Sequence, residues 1–146
     1  MGLNWTYNGK DFTEDLVGNN YGFVYQITNL TNGRKYIGKK FFYSAKTKQV
    51  KGKKKRYKAS SNWQTYYGSS DNLTKDVLQL GHENFNREIL HLCNSKGEMS
   101  YFEAKEQFDR EVLLSDEYYN GIINCKIHRT HVRSLKDVAK GVQGSQ

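Results

Sequence analysis

The sequence predicts an α/β chain of the α+β type, in the order strand, strand, basic loop, helix, strand, helix. Three stretches carry that prediction. Asn32-Gly33, the strongest short-range hairpin signal, separates strand-like runs at 22–29 and 34–40. SKGEMSYFEAKEQFDREVLL, residues 95–114, has Tyr101, Ala104, Phe108 and Val112 in a stripe of helical period, with Ser95 and Glu98 at capping-box spacing. Before it, NFNREILHL at 84–92 alternates in part and reads as a third strand.

Taken in order, residues 1–20 have little periodicity and read as a lead-in wrapped on the domain. The hairpin follows. If Asn32-Gly33 is a two-residue turn, Tyr25 opposes Lys40 and Asn29 opposes Tyr36. Side chains alternate along a strand, so Tyr25, Tyr36, Gly38 and Lys40 share a face. A four-residue loop keeps that parity, whereas a single bulge breaks it. Two phenols, a cation and a glycine that leaves room between them make a pocket floor, although aromatic pairs also fill sheet faces for packing alone.

Residues 44–61 (SAKTKQVKGKKKRYKASS) are polar and basic with no apolar face, and read as a mobile loop or an inserted ribbon. Over 69–80, Leu73, Val77 and Leu80 recur at helical spacing, with Ser or Asp as the cap and Gly81 just past the end. The chain after 114 is irregular or helical and closes in a polar tail at 135–146. With no internal repeat and no shift in composition, residues 1–146 read as one domain.

Bulk properties narrow the partner. The chain has 23 Lys and Arg against 15 Asp and Glu, a net charge of +8 and a pI near 9.4. Such a field attracts polyanions, nucleic acid before an acidic membrane surface. No apolar run reaches the ~18 residues of a membrane span, so the reading is a soluble protein. Cys93 and Cys125 are far apart and follow no secretory signal, which fits free thiols in a reducing cytoplasm.

Phe23-Val24-Tyr25, with Tyr36-Ile37-Gly38 eleven residues after Tyr25, resembles the paired signature of the GIY-YIG nucleases. Phe23 stands where the usual glycine would be, and Gly22 lies one position earlier. The resemblance continues through FNREIL at 85–90, Glu103 on the following helix and Tyr119-Asn120 near the end, covering roughly residues 20–125. NWQTYYGSS and DEYYNGIINCKIHRTH are most similar to the Seg-type freestanding endonucleases of T-even phages. The resemblance implies a small three-stranded antiparallel sheet flanked by helices, and hydrolysis of a DNA phosphodiester with one divalent ion, Mg²⁺ or Mn²⁺. Mg²⁺ keeps several waters and needs few protein ligands, which suits a single carboxylate.

By that resemblance Glu103 is the metal ligand. On a helical wheel it lies opposite the Tyr101 and Phe108 row but beside Met99, while Glu98, Glu106 and Glu111 read as solvated. Tyr25 and Tyr36 are the candidates for water activation and phosphate contact, with the base unassigned between them. The family's arginine falls at Lys46 here, leaving Lys40 and Arg56 as alternative catalytic cations. Asn120 orients backbone or phosphate, with Asn124 its rival. Lys39, Lys51, Lys53, Lys54, Lys55, Arg56 and Lys58 are candidates for tracking the phosphate backbone, which gives affinity without reading sequence. His128 and His131, with Cys125, lack a fourth ligand at a recognisable spacing and read as structural. The chain shows no separate DNA-recognition module, so long-site specificity would come from the insertion, the lead-in, a homo-oligomer or a partner. A binder that keeps the fold without catalysis, or an RNA-directed nuclease, are the alternatives.

Overall fold

A computed structural model describes residues 3–133 and 135. Its centre is a five-stranded sheet built from β1 (Thr6–Tyr7), β2 (Lys10–Asp11), β3 (Gly22–Asn29), β4 (Lys35–Phe41) and β7 (Phe85–Cys93), in the order β2-β1-β7-β3-β4. β3 runs antiparallel to both β4 and β7, which is the expected three-stranded sheet. The correction is at the amino-terminal end. The lead-in adds two short strands, β1 parallel to β7 and β2 antiparallel to β1, making the sheet mixed. The signal is present in the sequence: Asn8-Gly9 carries positive φ at both residues, 52° and 80°, as a two-residue hairpin turn requires. Trp5 and Phe12 are buried beside it in the core.

At Asn32-Gly33 the turn differs from the two-residue expectation. Asn29 and Arg34 close a four-residue loop, with Asn29 N–H donating to the Arg34 carbonyl at 2.7 Å. The side chain of Asn29 accepts from the backbone N–H and the hydroxyl of Thr31, a local bond that competes with ladder pairing. Tyr25 therefore opposes Gly38, and Ile27 opposes Tyr36. Parity survives, so both tyrosines remain on one face.

Helices cover both faces. Phe23, Tyr25 and Ile27 point into a core with Trp5, Phe42, Trp63 and the Leu73 and Val77 row of α1 (Asp71–Leu80). Ser70 caps α1 by accepting from Leu73 N–H, while Leu80 is largely exposed. A buried aromatic ring removes about 150–250 Å² from water, worth at most about 4–6 kcal/mol at ~25 cal/mol/Å², so this ring cluster dominates burial. On the opposite face Val24, Ile37 and Cys93 meet Met99 of α2 (Lys96–Asp109).

α2 begins at the expected cap, with Ser95 Oγ accepting from Glu98 N–H at 3.1 Å. It buries only part of the expected stripe: Ala104 and Val112 are buried, Tyr101 is half-buried and Phe108 is not. Phe108 is 56% exposed, the helix stops at Asp109, and Val112 packs from the next turn. The buried residues are Glu98, Met99, Ala104 and Gln107, a face half polar because it borders a cleft. A hydrophobic-period search is blind to such a face.

Residues 44–61 form the ribbon: β5 (Tyr43–Val50) and β6 (Lys53–Ser60) pair antiparallel across Lys51-Gly52, both at positive φ. Beyond Tyr118, the chain returns to the outer edge of β4, where Tyr119 N–H donates to the Lys35 carbonyl at 2.7 Å. Cys93 is buried, with its thiol pushed up to about 12 by burial and then by Glu98, and Cys125 is exposed; they are not bridged. Among the described residues no helix is long and apolar enough to cross a membrane. Apart from Leu135, the polar tail expected at 135–146 lies outside the described residues.

Candidate active site

β4 is an edge strand, and its alternation sends Tyr36 and Gly38 to the α1 face and Ile37 and Lys39 to the α2 face. A cleft of about 530 Å³ wraps that edge, lined by Tyr36, Gly38, Lys39, Asp71, Glu103, Gln107 and Asn120 among others. Residues far apart in sequence thus meet because the strand is open on one side.

Glu103 reaches the cleft from the middle of α2, with 14% of its side chain exposed. Burial raises its pKa from the ordinary carboxylate value, against the opposing pull of Lys39, whose Nζ lies 3.5 Å from Oε1. Lys39 also donates to Ser100 Oγ at 3.1 Å. Tyr36 shares a hydrogen bond of 2.9 Å with Ser69 Oγ, and burial raises its phenol pKa despite that bond.

Tyr25 lies just behind the wall. Its ring centroid is 6.2 Å from that of Tyr36, and its side chain is fully buried. A Cβ at Gly38 would collide with Tyr25 Oη, so the tyrosine tip fills the space that any other residue would need. That hydroxyl makes no close hydrogen bond among the described residues, and Tyr66 is its polar neighbour. Burial, then the neighbouring Tyr66 and Tyr36, hold its pKa well above the phenol norm of about 10. Both tyrosines are therefore neutral phenols, fit to orient a water and unable to deprotonate one without a nearby cation.

Asn120 is committed to backbone. Its Oδ1 accepts from Ile37 N–H at 3.0 Å and its Nδ2 donates to the Ile37 carbonyl at 2.8 Å. Gln107 donates to the same carbonyl at 3.0 Å. This amide pair fastens β4 to α2 and to the returning chain. Asn124 also lines the cleft, from an exposed position.

The cleft brings together Tyr36, Gly38, Lys39, Glu103 and Asn120, with Tyr25 behind Gly38. It does not include Lys40 or Arg56. Lys40 lies on the tyrosine face, but its Nζ sits 4.3 Å over the Tyr66 ring and burial lowers its pKa. Arg56 is in β6, paired with Thr47 and exposed. Lys51, Lys53, Lys54, Lys55 and Lys58 share its ribbon, none lining the cleft. The side chain of Lys46 lies outside the described residues. Arg34 stacks on the cleft residue Tyr119 at 4.1 Å with its Nε buried and unpartnered among the described residues.

Sequence reasoning missed Ser69, Ser70, Asp71 and Gln107 as cleft residues. The first three are the capping segment of α1, whose run of polar residues is visible in the sequence, but not its destination. Gln107 follows Glu103 by one helical turn, on a face that hydrophobic period marks as unpacked. Glu98 and Glu106 are not solvated as expected. Glu98 accepts from Asn94 N–H at 3.1 Å, and Glu106 binds His91 Nε2 at 2.6 Å and Arg110 Nε at 3.0 Å. His128 and His131 use their Nδ1 atoms to accept backbone N–H groups of their own turn.

One carboxylate beside a polar cleft fits a divalent ion that keeps most of its own water. Among the described residues no three His, Cys, Asp or Glu side chains cluster as ligands, so a closed, fully protein-ligated site is not the design.

A tyrosine-bearing sheet edge facing a helix glutamate is the arrangement that the resemblance to GIY-YIG domains implies. Residues 5–123 match the family model "Putative endonuclease segE, GIY-YIG domain", and the chain belongs to that family. It is 31% identical over 100 residues to "Putative endonuclease segE" of Enterobacteria phage T4, covering 68% of this chain and 40% of that protein. It is 33% identical over 95 residues to "Putative endonuclease segD" of the same phage, covering 65% of this chain and 35% of that protein. The chain thus spans well under half the length of the curated relatives it matches. No solved structure matches it.

Proposed function

We propose that this chain is a metal-dependent endonuclease that hydrolyses phosphodiester bonds of DNA, of the freestanding phage type that the sequence resemblance implies. The observation that carries the reading is the cleft at the β4 edge, which brings Glu103, Lys39 and Tyr36 together with Tyr25 packed behind Gly38.

In this reading Glu103 holds a divalent ion, and such an ion supplies charge stabilisation for the phosphate and the departing 3′ oxygen. Tyr36 positions the attacking water by hydrogen bonding, and Tyr25, packed behind Gly38, backs it. Lys39, paired with Glu103 at 3.5 Å, is the cation closest to hand for the developing phosphate charge. It serves here in preference to Lys40 or Arg56, which lie off the cleft. Asn120 and Gln107 keep the β4 edge in place beneath these groups.

Supercoiled DNA incubated with and without Mg²⁺ is the test. Nicking that requires the ion and vanishes in Glu103→Gln supports the enzyme. A mobility shift without nicking would leave a binder that has kept the fold, and cutting confined to RNA would transfer the substrate.

A further inference from the structure

Between Asp15 and Asp71 the chain contains twelve Lys and Arg and no acidic residue. Most of that charge is on the ribbon, which is eight paired rungs long from Tyr43↔Ser60 to Val50↔Lys53, or about 26 Å at ~3.3 Å per residue. Its base is fixed. Phe42, fully buried, packs on Trp63 at 5.1 Å, and Ser61 N–H donates to the Phe42 carbonyl at 2.9 Å. The ribbon is therefore a rooted arm rather than a loose loop.

Its charge lies on both faces. The rung pattern puts Lys54, Arg56 and Lys58 on one side and Lys48, Lys53 and Lys55 on the other, with Lys51 at the tip. Lys48 directly opposes Lys55, a like-charge pair that weakens a free ribbon. An arm lying flat on a duplex would use one face and leave the other to repel itself. An arm flanked by phosphates on two sides uses both. The B-form major groove, about 12 Å wide and ~8.5 Å deep, admits a two-stranded ribbon between two phosphate walls. The A-form major groove is too narrow for side chains to read.

From this two-faced charge we infer that β5 and β6 enter the major groove of duplex DNA and contact the backbones of both strands. The inference rests on DNA being the substrate, and its test keeps cleavage out of the readout. Binding of a fluorescent duplex to Glu103→Gln protein, without divalent ions, is followed by anisotropy against salt. Two further variants are made on that background: Lys54→Gln with Arg56→Gln and Lys58→Gln, and Lys48→Gln with Lys53→Gln and Lys55→Gln. Each should lower the slope of log K against log salt by about 0.9 for every phosphate the arm no longer neutralises. Guanine N7 should be protected from dimethyl sulfate, and an equal-length RNA duplex should bind more weakly. A slope change from one face only, unprotected N7, or equal RNA binding overturns groove entry. None of these outcomes bears on Glu103, whose role is judged by nicking alone.

Discussion

Asn120→Ala separates a structural amide from a catalytic one. The substitution deletes two buried hydrogen bonds, of 3.0 and 2.8 Å, to the backbone of Ile37. Each contributes about 1 kcal/mol net, and an orphaned buried N–H at Ile37 adds about 1–3 kcal/mol. The carbonyl of Ile37 keeps its bond from Gln107, which limits the damage. The expected loss is about 3–5 kcal/mol. With a urea m-value of about 2 kcal/mol/M, the unfolding midpoint should fall by roughly 1.5–2.5 M. A double-mutant cycle with Gln107→Ala should show coupling of about 0.5–3 kcal/mol, because both amides serve one carbonyl. Asn124→Ala, at an exposed position, should stay within about 0.5 kcal/mol. If Asn120→Ala also stays there while cleavage fails, the amide is free for substrate and the clamp is wrong.

Three further results are expected. Glu103→Gln should fold, bind DNA at least as well as the parent and not cut at any Mg²⁺ concentration, whereas Asp109→Asn on the same helix should cut normally. Glu106 cannot serve as that control, given its bonds to His91 and Arg110. Tyr25→Phe and Tyr36→Phe should each fold normally and cut slowly, since each keeps its ring and loses only the hydroxyl; wild-type rates in both would make the pair mere packing. Burial opposes the charge on Glu106, but hydrogen bonds from His91 and Arg110 outweigh it and depress the pKa. Its contribution is therefore present above the unfolded value of about 4.3 and lost as pH falls through the folded one. The urea-midpoint gap between the parent and Glu106→Gln should be wide at pH 7 and close at pH 3, and a constant gap would refute that linkage.

Much of this is legible in the sequence because local signals agree with the fold where side chains face inward. The Ser95 and Ser70 caps, the third strand and the shared face of Tyr25 and Tyr36 all follow from period and turn chemistry. The misses have one physical source. Hydrophobic period finds cores, and α2 packs through Glu98, Glu103 and Gln107 as well as Met99 and Ala104, so the expected stripe captures only part of the buried face. The turn at Asn32-Gly33 departs from expectation because Asn29 redirects the loop through its side chain, a competition invisible in a dipeptide rule. Asn8-Gly9 obeys the rule but joins strands only two residues long, too short to show a period. The cleft partners Ser69 and Asp71 need tertiary placement that no local pattern carries.

The returning segment at 117–120 also covers the first part of the outer border of β4. An outer strand exposes a row of unpaired backbone groups that can template pairing with another molecule. On β4, Lys35 N–H is taken by the Glu117 carbonyl, the Lys35 carbonyl by Tyr119 N–H, and Ile37 by the Asn120 side chain. The same few residues that frame the cleft thus blanket an aggregation-prone border. Shortening the chain before residue 117 would expose that border and dismantle the cleft in one stroke. Inactivity in such a truncation would report clumping rather than chemistry, and only point substitutions can dissect the site.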